Sequence, residues 1–298
     1  MRTLQFGISL APNIADMRKL RELAHLADTL GLDLLGIQDH PYVSRFFDSM
    51  SLISVLLAET TRLRIFPNVA SLPLRPPALL AKSAASLDML SGGRFELGIG
   101  SGASWEGIAA MGGQRRTPGE AIQALEEGIA IMRAIWNGQG SLRYDGKYYA
   151  LRGLQPGPRP THTIGIWVGA VGERMLRLTG RLADGWAAPI VSYLPYEHWG
   201  WAQETIDSGA RERGRDPSSI VRVANLVGSI THHQGGGQPH GNTPLEGKSA
   251  YWIEVLTSLA LTTRFDTFIF WPEIPSSEQI ELFAREITPG VREAVAKG

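Results

Sequence analysis

Short apolar runs and stretches with helical spacing alternate along the whole chain. In residues 16–30, for example, Leu20, Leu23, Ala24 and Ala27 recur on one helical face. The predicted strands are 4–10, 34–39, 62–71, 94–102, 163–170, 184–189, 221–230 and 265–272. The predicted helices are 16–30, 51–60, 76–90, 118–136, 173–182, 196–213, 248–261 and 276–295.

One segment interrupts this alternation. In residues 142–151, Asp145-Gly146 stands between two short polar–aromatic runs, a pattern typical of a β-hairpin. The remaining eight strand–helix units predict an α/β fold, a (β/α)8 TIM barrel with a hairpin insertion after helix four, in one domain over residues 1–298. A doubly wound open sheet is the alternative, but eight complete repeats favour closure.

Composition excludes several classes of function. The 298 residues are 43% hydrophobic, and Lys plus Arg and Asp plus Glu both number 29, so no net charge directs the chain to nucleic acid or an anionic membrane. The absence of cysteine excludes disulfides, thiolate nucleophiles and iron–sulfur clusters. Residues 1–10 do not resemble a signal peptide, and no apolar run reaches 18 residues, so we expect a cytoplasmic protein without a membrane partner.

Polar and glycine residues gather where the predicted strands end, which is where a TIM barrel holds its active site. Two interpretations fit the "DH" of "GIQDHPY": a helix cap or satisfied polar pair, and a catalytic acid–imidazole pair. The other candidates at strand ends are Asn68, Val69 and Ala70, Ser101 and Gly102, the segment 169–174, and Trp271 with Glu273.

Two glycine-rich turns follow predicted strands. "GIGSGA" (98–103) fits a dinucleotide-binding fingerprint by letter, but residues 104–116 are predicted to be a loop. The acids at the expected distance, Glu120 and Glu126, lie within a predicted helix and not at the end of the next strand. A close approach of the backbone to a flat ring or a phosphate, or a plain tight turn, are the alternatives. "GAVGER" (169–174) opens a helix, and its free backbone N–H groups with Arg174 predict an anion site unless the turn is an ordinary one.

Three histidines, His232, His233 and His240, bracket a glycine-rich segment. A metal site is one interpretation. The spacing resembles no ligand set held on a helix or strand, so we expect a mobile loop and no metal.

Three longer segments resemble the bacterial-luciferase-like flavin-dependent oxidoreductases: "GLDLLGIQDHPY", "NVASLPLRPPALLAKSAASLDMLSGGRFELGIGSGA" and "GAVGERMLRLTGRLADGW". The resemblance covers most of residues 4–230 and implies a TIM barrel that binds reduced FMN or the deazaflavin coenzyme F-420 in its mouth. It implies that Asp39 and His40 lie beside the reactive edge of the ring, as catalytic residues.

The same resemblance implies the cofactor-binding residues. Asn68-Val69 would be a non-prolyl cis peptide that backs the ring, with Ala70 beside it. Ser101 and Gly102 would bind the ribityl chain or the pyrimidine edge. The phosphate would lie on Gly169, Ala170, Val171, Gly172, Glu173 and Arg174. The residues assigned to the substrate pocket are Tyr42, Trp105, Trp271 and Glu273.

The "DH" pair and the helix after residue 172 look more like the deazaflavin-using branch, which transfers a hydride to or from a small organic substrate. The alternatives are an FMN-dependent monooxygenase that activates O2 and a barrel that binds the cofactor without turnover. A reductase that supplies reduced cofactor is an expected partner, and a homodimer through helices 51–60 and 76–90 is a further expectation. The sequence departs from the family after residue 230, so the substrate stays open.

Overall fold

The apolar runs form strands in the computed structural model, which describes residues 2–297. The strands are β1 (Gln5–Leu10), β2 (Leu34–Ile37), β3 (Arg64–Pro67), β4 (Ala70–Ser71), β5 (Leu97–Gly100), β6 (Leu142–Asp145), β7 (Ala150–Leu154), β8 (Ile166–Gly169), β9 (Gly185–Ala188), β10 (Val221–Ile230), β11 (Leu245–Gly247) and β12 (Thr267–Pro272).

Helices alternate with these strands. They are α1 (Met17–Thr29), α2 (Ser49–Glu59), α3 (Pro77–Ser91), α4 (Trp105–Ala110), α5 (Pro118–Asn137), α6 (Glu173–Leu182), α7 (Trp199–Glu212), α8 (Ser249–Thr262), α9 (Ser277–Leu282) and α10 (Thr288–Lys297). A π-helical turn, Phe283–Ile287, joins the last two. No helix within residues 2–297 is long and apolar enough to cross a bilayer.

The main sheet closes into a barrel. Its strand order is β3-β2-β1-β12-β10-β9-β8-β5-β4, and β1 pairs in parallel with both β2 and β12. Because β3 and β4 are successive pieces of one predicted strand, the two ends of this order meet, and a parallel bridge between Ile65 and Phe95 completes the ring. The prediction of a TIM barrel is confirmed, and closure contradicts both the open sheet and the dinucleotide-fold interpretation of "GIGSGA".

The predicted hairpin is also present. β6 and β7 pair antiparallel, with Tyr144 opposite Leu151, and they follow α5, the fourth long helix. The backbone N–H groups of Lys147, Tyr148 and Tyr149 donate to the Glu127 carboxylate on α5, which fixes the hairpin against that helix.

Three local predictions were wrong. The third strand is broken between β3 and β4, where Asn68 and Val69 leave the ladder. Residues 105–110 of a predicted loop form α4, because the Ser104 hydroxyl accepts a hydrogen bond from the Gly107 N–H and caps a helix start. Residues 245–247 of the histidine-rich loop form β11, which extends β10 in parallel.

The barrel has two apolar layers. The larger one lies between the strands and the surrounding helices. The smaller one fills the interior, where Phe66 and Trp167 pack edge to face at 5.0 Å. This filled interior supports the floor of the mouth at the carboxyl ends of the strands.

Candidate active site

A cavity of about 700 Å³ opens at the carboxyl ends of the barrel strands. Most of the predicted site residues line it: Asp39, His40, Tyr42, Asn68, Val69, Ala70, Ser101, Gly102, Trp105, Gly169, Val171, Gly172, Glu173, Arg174 and Trp271. These residues come from five segments of the chain, which the closed barrel brings to one mouth.

Asp39 is almost completely buried and is held by other groups than His40. Its carboxylate accepts hydrogen bonds from the Ser49 hydroxyl at 2.8 Å and the Ser71 backbone N–H at 2.8 Å. The Arg75 guanidinium donates two more, at 2.8 and 3.1 Å, and also pairs with Asp48. Asp39 therefore ties the start of α2 to β4. Asp39 makes no hydrogen bond to His40, so it acts on the imidazole through its nearby charge, and its assignment as a catalytic residue stays a prediction.

His40 pairs with Tyr42 instead. The His40 Nδ1 lies 2.7 Å from the Tyr42 hydroxyl oxygen, and the two rings are 5.4 Å apart. Burial lowers the pKa of His40 and is partly offset by the nearby charge of Asp39. Burial raises the pKa of Tyr42, so the phenol keeps its proton and donates it to Nδ1. A neutral His40 with its proton on Nε2 follows from this pairing.

Val69 forms part of the cavity floor. The Asn68–Val69 peptide bond is cis, as the family resemblance implies. A Cβ added at Gly100 or Gly169 would lie 3.0 Å from the Val69 side chain. The two glycines therefore let β5 and β8 close around Val69, and larger residues there would displace it.

A buried amide network lies next to this floor, and sequence analysis missed its central residue. The Asn225 carbonyl oxygen accepts hydrogen bonds from Asn68 Nδ2 at 2.7 Å and from Trp271 Nε1 at 2.8 Å. The Asn225 amide nitrogen donates to the Ala188 carbonyl at 2.7 Å. Asn225 thus joins β9, β10 and β12 to the cis peptide. A lone polar residue in the apolar run "VRVANLVGSI" was the available signal.

The amino end of α6 opens into the cavity. Its N-cap, Gly172, has no side chain to bond the first-turn N–H groups, and a Cβ added there would meet nothing within 4 Å. Arg174 lies on the cavity wall, and no carboxylate of residues 2–297 lies within 4.0 Å of it. A helix amino end with free N–H groups and a guanidinium fits an anion such as a phosphate.

One buried polar atom in the cavity has no partner. The Ser71 hydroxyl makes no hydrogen bond within residues 2–297, although Ser71 is only 8% exposed. An orphaned hydroxyl of this kind fits a polar group of a bound ligand. Together with the floor at Val69 and the anion site on α6, it fits a planar cofactor that carries a phosphate.

Gly102 shapes the opposite wall. Its φ is +112°, which favours glycine, and an added Cβ would lie 3.1 Å from both Trp105 and Pro73. The Trp105 ring therefore covers Gly102 at the start of α4. Tyr193, which is 59% exposed, was missed in the sequence and lines the outer part of the mouth.

Two predicted site residues lie outside the cavity. Ala170 is buried, and its carbonyl accepts a hydrogen bond from Trp186 Nε1 at 3.1 Å, because the end of β8 turns it toward the helix layer. Glu273 is exposed and accepts a hydrogen bond from the Ser229 hydroxyl at 3.0 Å, because it is carried past the rim at the end of β12. Neither side chain lines the cavity, and both assignments stay predictions.

The histidine-rich loop is also separate from the cavity. It packs on Tyr251 of α8 and borders a smaller recess of about 290 Å³. Within residues 2–297, no three His, Asp or Glu side chains are arranged to hold a metal ion.

Comparison with known proteins identifies relatives of this chain. The sequence model of a family described as luciferase-like monooxygenase matches residues 3–234. A phthiodiolone/phenolphthiodiolone dimycocerosates ketoreductase from Mycobacterium bovis is 40% identical over 178 residues, which cover 57% of this chain and 44% of the relative. The chain thus spans less than half the length of that relative.

A 5,10-methylenetetrahydromethanopterin reductase from Archaeoglobus fulgidus is 29% identical over 231 residues, covering 76% of this chain and 64% of the relative. Among solved structures, an F-420-dependent secondary alcohol dehydrogenase in complex with an F-420–acetone adduct superimposes with a TM-score of 0.83 at 16% identity. The superposition covers 98% of this chain and 100% of the other and shows the shared fold.

Proposed function

Because this chain belongs to the luciferase-like monooxygenase family, we propose that it is an oxidoreductase that binds reduced coenzyme F-420 in the barrel mouth. Its reaction is hydride transfer to or from a small organic substrate. The observation that carries the proposal is the open amino end of α6, with Arg174, facing the same cavity as the Val69 floor and His40. The names of the reductase relatives support the reaction class.

The geometry supports an assignment of the residues that hold the cofactor. The first-turn N–H groups of α6 and Arg174 bind the phosphate. Val69 supports one face of the ring, and the Ser71 hydroxyl gains the hydrogen-bond partner that it lacks within the protein. When bound, the deazaflavin supplies or accepts a hydride.

His40 and Tyr42 handle the accompanying proton. A carbonyl substrate that gains a hydride at carbon needs a proton at oxygen, and the His40 Nε2–H donates it. The Tyr42 hydroxyl, 2.7 Å from Nδ1, replaces that proton and is reprotonated from solvent. Oxidation of an alcohol reverses these transfers. A general acid or base of this kind contributes about 100- to 10,000-fold in rate.

The cavity lining indicates a substrate with an apolar body. Five of its side chains are aromatic or aliphatic: Tyr42, Trp105, Ile190, Tyr193 and Trp271. Rings and aliphatic groups bind such walls through area removed from water. This lining therefore favours an alcohol or ketone that carries an apolar or aromatic substituent.

An FMN-dependent monooxygenase is the second candidate, because the family description names that activity and FMN also combines a planar ring with a phosphate. Two measurements distinguish these candidate functions: titration of the protein with each reduced cofactor under nitrogen, followed by measurement of oxygen uptake. The proposal expects tighter binding of reduced F-420 and no uptake of oxygen above the rate of the free cofactor. Tighter binding of reduced FMN with protein-dependent oxygen uptake would favour the monooxygenase.

The phosphate site is tested with Gly172→Asp. The added carboxylate occupies the helix N-cap, where it satisfies the first-turn N–H groups and repels a phosphate. We expect the melting temperature to stay level or rise while cofactor affinity falls by about 10- to 100-fold, which is roughly 1–3 kcal/mol.

The matched control is Gly200→Asp, which adds the same charge in the first turn of α7 at an open, exposed position. It should leave cofactor affinity unchanged. Equal affinity in the Gly172→Asp variant and the control would contradict the phosphate assignment.

Two partner assignments belong to the same proposal. A separate reductase supplies the reduced cofactor, and two chains associate through α2 and α3. The exposed Val55, Leu79 and Leu90 side chains on these helices support the second assignment. Sedimentation of the wild type and of the Leu79→Glu variant tests this association: the wild type should have the mass of a dimer and the variant that of a monomer. A wild type with the mass of a monomer would refute the dimer.

A further inference from the structure

A second concavity, of about 490 Å³, lies at the opposite end of the barrel from the candidate active site. It is bordered by the last turn of α5, the segment before β8, the end of α6 and the turn after α7. In a TIM barrel the catalytic loops lie at the carboxyl ends of the strands, so this concavity needs a separate explanation. We call it the basic pocket, and its charged lining residues are Arg133, Arg159, His162, Arg181, Asp184 and Arg215.

Positive charge exceeds negative charge in this lining. Four guanidinium groups face one carboxylate, that of Asp184, and both of its oxygens are engaged. One accepts from Arg133 at 2.9 Å, and the other accepts from the Ile166 backbone N–H at 3.0 Å. Among the arginines and the carboxylate that line the pocket, positive charge therefore exceeds negative charge by three.

Two of the cations are held close together. Arg215 donates to the carbonyls of Gly180 and Ala183, at 2.7 and 2.8 Å, which closes the end of α6. Burial lowers the pKa of Arg215, Asp184 partly offsets this, and the positive charge of Arg133 lowers it further. The contact with α6 explains where Arg215 lies, but it leaves two guanidinium groups repelling each other across the pocket.

The other two arginines lack acidic neighbours. Within residues 2–297, no carboxylate lies within 4.0 Å of the Arg159 or Arg181 side chain. His162 contacts the carboxylates of Glu96 and Asp88, which raise its pKa despite burial and also offset its charge, so the positive excess rests on the arginines. Arg159 and Arg181 thus approach Arg133 and Arg215 without acidic partners of their own, an arrangement that a bound anion would stabilise.

We propose that the basic pocket binds a compact polyvalent anion of the phosphate-ester or pyrophosphate class. Guanidinium groups suit this ligand because each presents parallel N–H donors to two phosphate oxygens. The half-buried positions of Arg133, Arg181 and Arg215 mean that a ligand here would lose part of its contact with water. The Trp136 and Pro160 side chains complete the wall and leave room for a small organic group on the ester.

Inorganic pyrophosphate is the probe, and calorimetric titration at constant ionic strength is the measurement. The titration uses the Gly172→Asp protein, because pyrophosphate also suits the amino end of α6 and this substitution blocks that end. We expect one binding event per chain, with the affinity at least tenfold lower once Arg159→Gln and Arg181→Gln are added. Neither side chain is part of a buried contact, so folding should be unaffected.

The control variant carries Arg18→Gln and Arg143→Gln, which remove the same charge from exposed positions on α1 and the hairpin. Its affinity for pyrophosphate should match that of the parent protein. Equal weakening in both double variants, or the absence of any binding event in the Gly172→Asp protein, would overturn the proposal. If the cofactor assignment is wrong, the expected binding of pyrophosphate to the basic pocket does not change, since the two sites lie at opposite ends of α6.

Discussion

Replacing Asp39 with asparagine separates a structural from a catalytic role for this carboxylate. The carboxylate side chain is 1% exposed and its partner Arg75 is 15% exposed, so the ion pair is buried. Asparagine keeps the shape but removes the charge, and its amide N–H2 then faces a donor from Arg75, Ser71 or Ser49.

Breaking one partner of a buried ion pair costs about 3–5 kcal/mol. For a chain of 298 residues, an unfolding entropy of about 2.1 cal/mol/K per residue gives about 0.6 kcal/mol/K in total. The melting temperature should therefore fall by about 5–8 °C. Because Asp39 makes no hydrogen bond to His40, turnover per folded molecule should fall less than tenfold.

Thermal denaturation followed by circular dichroism measures the first quantity, and cofactor oxidation below the melting range measures the second. The control is Asp145→Asn, which breaks an exposed pair with Arg152 on the hairpin and should cost under about 1 kcal/mol. In an Arg75→Gln background the cost of Asp39→Asn should shrink, since the two residues share one interaction. A variant that melts like the control yet loses turnover a hundredfold would refute the reasoning.

The remaining predictions concern the other site residues. His40→Gln should lower turnover at least tenfold with cofactor affinity and melting temperature little changed, and normal turnover in a less stable protein would instead indicate a structural role. In alcohol oxidation His40 accepts the proton, and burial lowers its pKa, so the rate in that direction should stay level down to about pH 6.5 and fall only at lower pH, and this acid limb should vanish in His40→Gln. The same shift means that the contribution of His40 to stability is complete above about pH 6.5 and is lost as the pH falls through its lowered pKa, which pH-dependent denaturation of both proteins checks. Asn225→Leu leaves the Asn68 and Trp271 N–H donors unpartnered, at about 1–3 kcal/mol each, so denaturant titration should show a less stable protein, and unchanged stability would contradict the proposed network.

Much of the architecture could be predicted from the order of elements along the chain. Hydrophobic spacing is a local property, so the eight strand–helix units and the hairpin at Asp145-Gly146 were visible in the sequence, and family motifs directed attention to one mouth. The single-domain assignment for residues 1–298 stays a prediction. The errors at α4 and β11 have a common cause: each is a short element stabilised by one cap or by a neighbouring strand, and neither has room for a periodic pattern.

The sequence by itself determined which residue types reach the carboxyl ends of the strands. Only the tertiary structure decided which of them meet. Asp39 and His40 are adjacent in the chain, yet successive positions along an extended segment point in opposite directions, so Asp39 turns to Arg75 and His40 to Tyr42. Asn68 and Asn225 are 157 positions apart and share one hydrogen bond, because barrel closure brings β3 and β10 to the same mouth. Partners of this kind are set by the packing of distant strands, which no local pattern along the chain records.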